Sequence, residues 1–232
     1  MTTLAIRCRT EEQMDAEDLD VETYARVLQD LSRVNRWTFT AHPTLRYLER
    51  ATKGLQRFRL LDVGFGAGDM LRAIAHWARR RGIDAQLVGV DLNPRSAAIA
   101  QTATPSDLAI DYRTGDYHDV AGPLDFIVSS QVTHHMTDEQ LGEFIRYMES
   151  HSSRGWLISD LHRHRFAHAG FPLLARLMGV HRIVREDGTL SIARSFRPNE
   201  WRTILADAGV SSEIVMIARR FPFRLCVERI RD

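Results

Sequence analysis

Leu60-Leu61-Asp62-Val63-Gly64-Phe65-Gly66-Ala67-Gly68 decides the fold. Four residues with the character of a buried strand run into three glycines at alternate positions. The stretch from Asp69 to Arg81 then reads as a helix closed by Gly82, the residue best suited to a left-handed cap. Glycines at such a junction let the backbone turn tightly and approach a ligand, and the first helical turn offers unpaired N–H donors. A strand-to-helix turn that binds nothing reads the same way in isolation, so the rest of the chain has to discriminate.

Downstream, strand and helix patterns alternate. Gln86–Asp91 is a second strand. Asn93 is placed to cap the next helix, with Pro94 at its first position. Leu108–Tyr112 and Asp125–Ser129 are a third and a fourth strand, and Thr137-Asp138-Glu139-Gln140 matches a capping box that starts a helix running to about Ser150. Trp156–Asp160 is a fifth strand. This alternation implies a parallel sheet covered on both faces. A helix from Pro198 to Ala208 stops at Gly209, and the strands Ile214–Ile217 and Leu225–Val227 are separated by so short a connection that they must be antiparallel. Upstream, apolar residues at helical spacing between Val21 and Thr52 predict a helical cap. The expected fold is α/β and Rossmann-like, with a seven-stranded, mostly parallel sheet, an antiparallel C-terminal hairpin and an N-terminal helical cap. A single domain over residues 1–232 is expected: cap 1–53, ligand-binding core 54–160, and substrate-side helices with the hairpin over 161–232.

Composition excludes several classes. A chain of 232 residues can bury roughly 70% of its unfolded surface without a disulfide or metal staple. Cys8 and Cys226 lie near opposite ends without metal-like spacing and read as reduced thiols. A net charge of +1 gives no general reason to expect nucleic acid. Acids dominate between Glu11 and Asp30, whereas Arg163, Arg165, Arg176, Arg182 and Arg185 bias a later segment. Both read first as solvated faces, and the basic one second as a site for an anionic or carrier-bound substrate. No run from Met1 to Arg9 resembles a signal peptide and none later spans a bilayer, so a cytoplasmic location is expected.

Three further features turn the glycine loop into a ligand site. Asp91 ends the second strand, where a carboxylate accepts hydrogen bonds from ribose hydroxyls. Gly115-Asp116-Tyr117 follows the third strand and offers an acceptor with an aromatic face for an adenine ring. Asp62 is placed to hold a ligand's ammonium group. Together they describe a nucleoside site with an ammonium-bearing tail.

This series, with Ser129-Ser130-Gln131-Val132-Thr133-His134-His135-Met136, resembles the class I methyltransferases that use S-adenosylmethionine (SAM), and most of all the branch of ubiquinone and menaquinone methylases and small-molecule methyltransferases of polyketide pathways. The resemblance covers Leu60 to Asp160 and, more loosely, the terminal hairpin. It implies that the loop of Gly64, Phe65, Gly66 and Gly68 cradles the methionine part, that Asp91 binds ribose, that Asp116 with Tyr117 contacts adenine, and that Asp62, Leu92, Ser130 and Gln131 also belong to the cofactor site. Asp30 to Trp37 resembles the helix that closes over substrate in this branch.

The chief competitor is a nicotinamide-dependent reductase, whose fingerprint needs glycine at its first, third and sixth positions. Asp69 stands at the sixth, where it would oppose a pyrophosphate, and glycine falls at the fifth, Gly68. A binding module that keeps the SAM pocket without turnover is a second alternative. An RNA methyltransferase is disfavoured, because Ser129-Ser130-Gln131-Val132 replaces the Asn/Asp-Pro-Pro-aromatic signature.

Methyl transfer from a sulfonium is an in-line displacement, in which positioning can supply about 7–11 kcal/mol. A phenolic or enolic oxygen also needs a base, and histidine titrates in the right range. His134 and His135 follow the fourth strand and His162 the fifth, where His164 and His168 lie close by. A structural loop role competes for the first pair. The interleaved arginines argue against a metal at the second cluster, and no metal is expected. The expected partner is a small, partly apolar acceptor, with no nucleic acid and no membrane span. The oligomeric state is left open between monomer and homodimer.

Overall fold

Strand β1 (Arg57–Val63) lies in the middle of the sheet and is buried along almost its whole length. The computed structural model describes residues 4–16 and 18–231. Met1, Thr2 and Thr3 of the segment read for a signal peptide, Glu17 of the acid-rich stretch and Asp232 lie outside the described residues. Around β1 stand β2 (Asp84–Asp91), β3 (Ile110–Thr114), β4 (Leu124–Ser130), β5 (Ser152–Leu161), β6 (Met216–Arg220) and β7 (Arg224–Ile230), in the order β3-β2-β1-β4-β5-β7-β6. All neighbours among the first five strands are parallel, whereas β7 runs antiparallel to both β5 and β6. The strand order reverses between β1 and β4, so the carboxyl ends of these strands open a crevice suited to a ligand.

Each sheet face carries its own apolar layer. Leu141, Phe144 and Met148 of α5 (Asp138–His151) and Trp201 of α8 (Pro198–Asp207) pack with Val63, Ile127 and Trp156 on one side. Tyr47 and Leu48 of α2 (Ala41–Ala51) and Ile74 and Trp77 of α3 (Asp69–Arg80) pack with Leu60, Phe126 and Leu157 on the other. A third cluster stands above the carboxyl ends of the strands. There α1 (Val21–Trp37) meets α6 (Arg165–Leu177) and α7 (Arg182–Arg194) through Val27, Val34, Ala175, Ile183 and Val184. No described helix is long and apolar enough to cross a membrane.

The Thr137–Gln140 capping box forms as expected at the start of α5. Other boundaries move for local reasons. Asn93 does not cap a helix: its side chain accepts from the amide of Arg95 at 3.1 Å and its carbonyl from that of Ser96, closing a turn, so α4 (Ser96–Thr102) begins after Pro94. The third strand starts at Ile110, because the amide of Leu108 closes a turn on Pro105. The helical stretch from Val21 to Thr52 is two helices broken at Phe39, whose φ is 52°. Only α1 reaches over the crevice, whereas α2 backs the sheet, with Tyr47 Oη donating to the Arg229 carbonyl at 3.0 Å.

Candidate active site

The crevice between these layers is a cavity of about 690 Å³ running from the glycine loop to α6 and α7. At Gly64 and Gly68 the backbone takes φ of 77° and 75°, and a Cβ would lie 2.4 Å from Val132 and from the Tyr112 hydroxyl respectively. A side chain at either position would be strained by the backbone and would displace its neighbour. Phe65 turns its ring into the core against Tyr112, so its backbone faces the cavity while its side chain anchors the loop.

Beneath this loop lies Asp62, 1% exposed, and neither of its carboxylate oxygens has a hydrogen-bond partner. Burial, with Asp69 and Asp91 close by, pushes its pKa up to about 8. An unpartnered carboxyl beside a cavity is the complement of a cationic group that the chain itself does not supply. Asp91 is held differently: one oxygen accepts from the Gly66 amide and the other from that of Asn93, each at 2.9 Å, which fixes the carboxylate at the crevice and leaves lone pairs for ligand hydroxyls. Leu92 presents an exposed apolar side chain at the rim, and Tyr117 lines the wall with its ring braced by Phe144 and Tyr147. Asp116 does not line the cavity; its carboxylate caps the turn at Tyr117–Asp119 and accepts from the His118 amide at 2.9 Å. Ser130 lines the cavity with its hydroxyl unpartnered. Gln131 is clamped, donating to Asn35 at 2.8 Å and accepting from Arg224 at 2.6 Å, so α1 is latched to the end of β4.

The far half of the cavity is apolar, walled by Met14, Val27, Leu31, Phe171, Leu174 and Ile183. Gly188 on α7 makes room for the Phe171 ring, which a Cβ there would meet at 2.3 Å.

Between the halves stands a chain of carboxylates and imidazoles. His134 Nδ1 lies 2.8 Å from Asp160, and Nε2 lies 3.5 Å from Glu12. Burial opposes its charge, but Asp160 and Glu12 outweigh burial and push the imidazole up to about 9. Burial likewise opposes the Asp160 carboxylate, and His134 with the Thr133 hydroxyl brings it down to about 2. His135 is more open, its side chain 29% exposed, with Nδ1 2.9 Å from Asp15 and Nε2 3.9 Å from Glu12. Glu12 also accepts from Ser191 at 2.8 Å. Arg194 and Arg7 hold the loop from outside, both donating to the His134 carbonyl. Glu12, His134 and His135 bring one ligand atom each within 4.8 Å of one another, a set with the chemistry to hold a divalent cation. A protonated His134 supplies the positive charge there without one.

His162, placed by sequence reading among the candidate bases, does not line this cavity. It lies on a second pocket, where burial and neighbouring cations pull its pKa down to about 4. Glu12 and Asp15 had no local signal to mark them. They belong to an acid-rich stretch read as a solvated face, yet Glu12 is 4% exposed and reaches the site only because the chain before α1 folds back over β4 and α7.

Residues 60–155 match the family model described as a methyltransferase domain. No curated protein sequence matches the chain. Among solved structures it is similar to magnesium protoporphyrin IX methyltransferase from Synechocystis PCC 6803 with bound SAH, at 19% identity over 94% of this chain and 90% of that one, with a TM-score of 0.55. It is similar to the plantazolicin methyltransferase BpumL in complex with a triazolic desmethylPZN analogue and SAH, at 14% identity over 91% and 97% of the two chains and a TM-score of 0.64. It is similar also to human N-acetylserotonin methyltransferase in complex with SAM, at 14% identity over 95% and 63% and a TM-score of 0.64. The chain therefore shares the Rossmann-like fold of these structures, and at such identities the likeness is one of architecture.

Proposed function

We propose that the chain is a SAM-dependent methyltransferase acting on a small, partly apolar acceptor, at a phenolic or enolic oxygen of a polyketide- or quinone-like compound. The observation that carries this reading is the unpartnered, buried Asp62 carboxyl under the glycine loop, at one end of a cavity whose other end is apolar. The residues fit SAM: Asp62 for its ammonium, the backbone of Gly64 to Gly68 for the methionine part, Asp91 for the ribose hydroxyls, and Leu92 and Tyr117 for the flat base. Bound there, SAM supplies an electrophilic methyl group on a sulfonium.

The remaining work falls to the chain. The walls formed by α1, α6 and α7 orient the acceptor and exclude water. His135 takes the acceptor's proton on Nε2 while Asp15 fixes Nδ1, the arrangement that orients a general base. His134 is already protonated between Asp160 and Glu12, and serves as a fixed positive group beside the oxygen that loses its proton. His162 is left out of the reaction. With the imidazolium as the cation of the cluster, transfer needs no metal.

Asp62, Asp69 and Asp91 all face the crevice, which opposes the pyrophosphate of a nicotinamide cofactor. The test is single-turnover transfer of a labelled methyl group to a panel of phenols and quinols, with His135→Ala expected to lose about 10²–10⁴ in rate while binding SAM as before. A His135→Ala rate equal to wild type removes the base assignment. A wild-type chain that binds SAM yet methylates nothing in extracts of its source favours a non-catalytic SAM-binding module. Activity lost on chelation and restored by a divalent cation would place a metal at Glu12, His134 and His135.

A further inference from the structure

Phe223 lines the main cavity on one side and a separate pocket of about 520 Å³ on the other. Five arginines, Arg163, Arg165, Arg197, Arg219 and Arg220, line that pocket, and among the described residues no carboxylate does. Arg163 follows β5 and its side chain is fully buried. One of its nitrogens is paired with Glu200, whereas Nε and Nη1 have no partner. Arg220 shares Glu228 with Arg50, and among the described residues Arg165, Arg197 and Arg219 form no ion pair. A buried guanidinium left partly unsatisfied, in a pocket lined by four more, costs free energy that an anion would offset. His162 on the same wall has its pKa pulled down to about 4, first by burial and then by His164 and the neighbouring arginines.

The charge excess selects the ligand. Three arginines without an ion pair and a half-satisfied fourth exceed what one carboxylate neutralises, whereas a phosphate or diphosphate carries about two or more negative charges and several acceptor oxygens matching guanidinium forks. The partition from the main cavity is thin: the His164 ring stacks on Phe223 at 5.1 Å and stands 5.4 Å from Phe166, a residue lining the main cavity. We infer that the pocket formed by Arg163, Arg165, Arg197, Arg219 and Arg220 binds a phosphate or diphosphate group, carried by the acceptor whose apolar body fills the main cavity. The phosphate site stands on the pocket itself; its link to the acceptor rests on the methyltransferase reading.

Inorganic pyrophosphate titrated into the 232-residue chain tests the site by calorimetry, with two exposed arginines that form no ion pair replaced in the double variant Arg165→Gln/Arg219→Gln. One pyrophosphate per chain is expected to bind wild type, with affinity reduced about tenfold or more in the variant and SAM affinity unchanged in both. Absence of saturable binding, or equal binding to wild type and variant, overturns the inference. Two further probes separate the sources of such a group. Binding of 4′-phosphopantetheine supports a phosphate ester free in solution, and co-sedimentation with phosphatidylcholine vesicles only when they contain phosphatidic acid supports a lipid headgroup. A chain that binds pyrophosphate but not SAM would sink the methyltransferase reading and leave this site standing.

Discussion

Asp62 and Asp160 are each 1% exposed, each near the carboxyl end of a central strand, and their environments are opposite. Asp160 finds everything it needs inside the chain: the His134 ring, the His134 amide and the Thr133 hydroxyl, all within 3.0 Å. Asp62 finds nothing. Two carboxylates of equal burial thus end up with pKa values of about 2 and about 8. The difference separates a carboxylate satisfied by the chain itself from one that the chain leaves without a partner, the group assigned above to the SAM ammonium, since burial of a charge is tolerated only with a partner.

The largest effect should come from Asp160. Replacing it with Ala leaves a buried imidazolium with only the more distant Glu12, and the expected loss is about 3–5 kcal/mol of unfolding free energy at neutral pH. Denaturant titration measures it, and a loss below about 1 kcal/mol would erase the contrast with Asp62. The pH dependence follows in sign. The Asp160 contribution is present above the ordinary carboxylate range and lost as pH falls through about 2. The His134 contribution is present below the ordinary imidazole range and lost as pH rises through about 9.

Asp62→Asn should behave the other way. Its raised pKa means that the folded state holds a proton the unfolded chain has released, so wild-type stability declines as pH rises from the ordinary carboxylate range to about 8. The amide variant escapes that decline and should be as stable as wild type at pH 5 and more stable at pH 8. Its affinity for SAM should fall by about 1.5–3 kcal/mol, the range for hydrogen bonds to a charged group. Calorimetry checks both, and unaltered SAM binding would show that Asp62 is not the ammonium site.

The smallest effect is the most specific. Near pH 7 the Asp62 carboxyl is protonated, so an incoming ammonium should drive out a fraction of a proton. Titrating SAM in two buffers of different ionisation enthalpy reads that fraction, and Asp62→Asn should abolish it. No release in wild type would mean that the carboxyl was already ionised.

The two sites also differ in how far the sequence reveals them. The glycine loop, Asp62 and Asp91 lie at strand ends and are read from local pattern, because backbone turns and strand termini are set by neighbours in the chain. The partners of His134 come from far away: Glu12 precedes α1, and Arg194 ends α7. Nothing in the spacing of those residues signals their meeting, since an acidic segment on the surface and one folded over a crevice have the same composition. His162 lies on the second pocket rather than the main cavity for a related reason. Succession after β5 suggested the substrate side, but the backbone there pairs with Phe196 and turns the ring toward the arginines instead.

Gly188 touches neither half of this comparison, yet it sets the room at the apolar end of the cavity. A methyl group added there would meet the ring of Phe171, which lines the cavity together with Gly188, and displace that aromatic wall. The apolar end of the cavity therefore has an adjustable size, governed by one position on a helix remote from the glycine loop. Related enzymes could exchange one acceptor for another by changes at this spot while the machinery at Asp62 and Asp91 stays as it is.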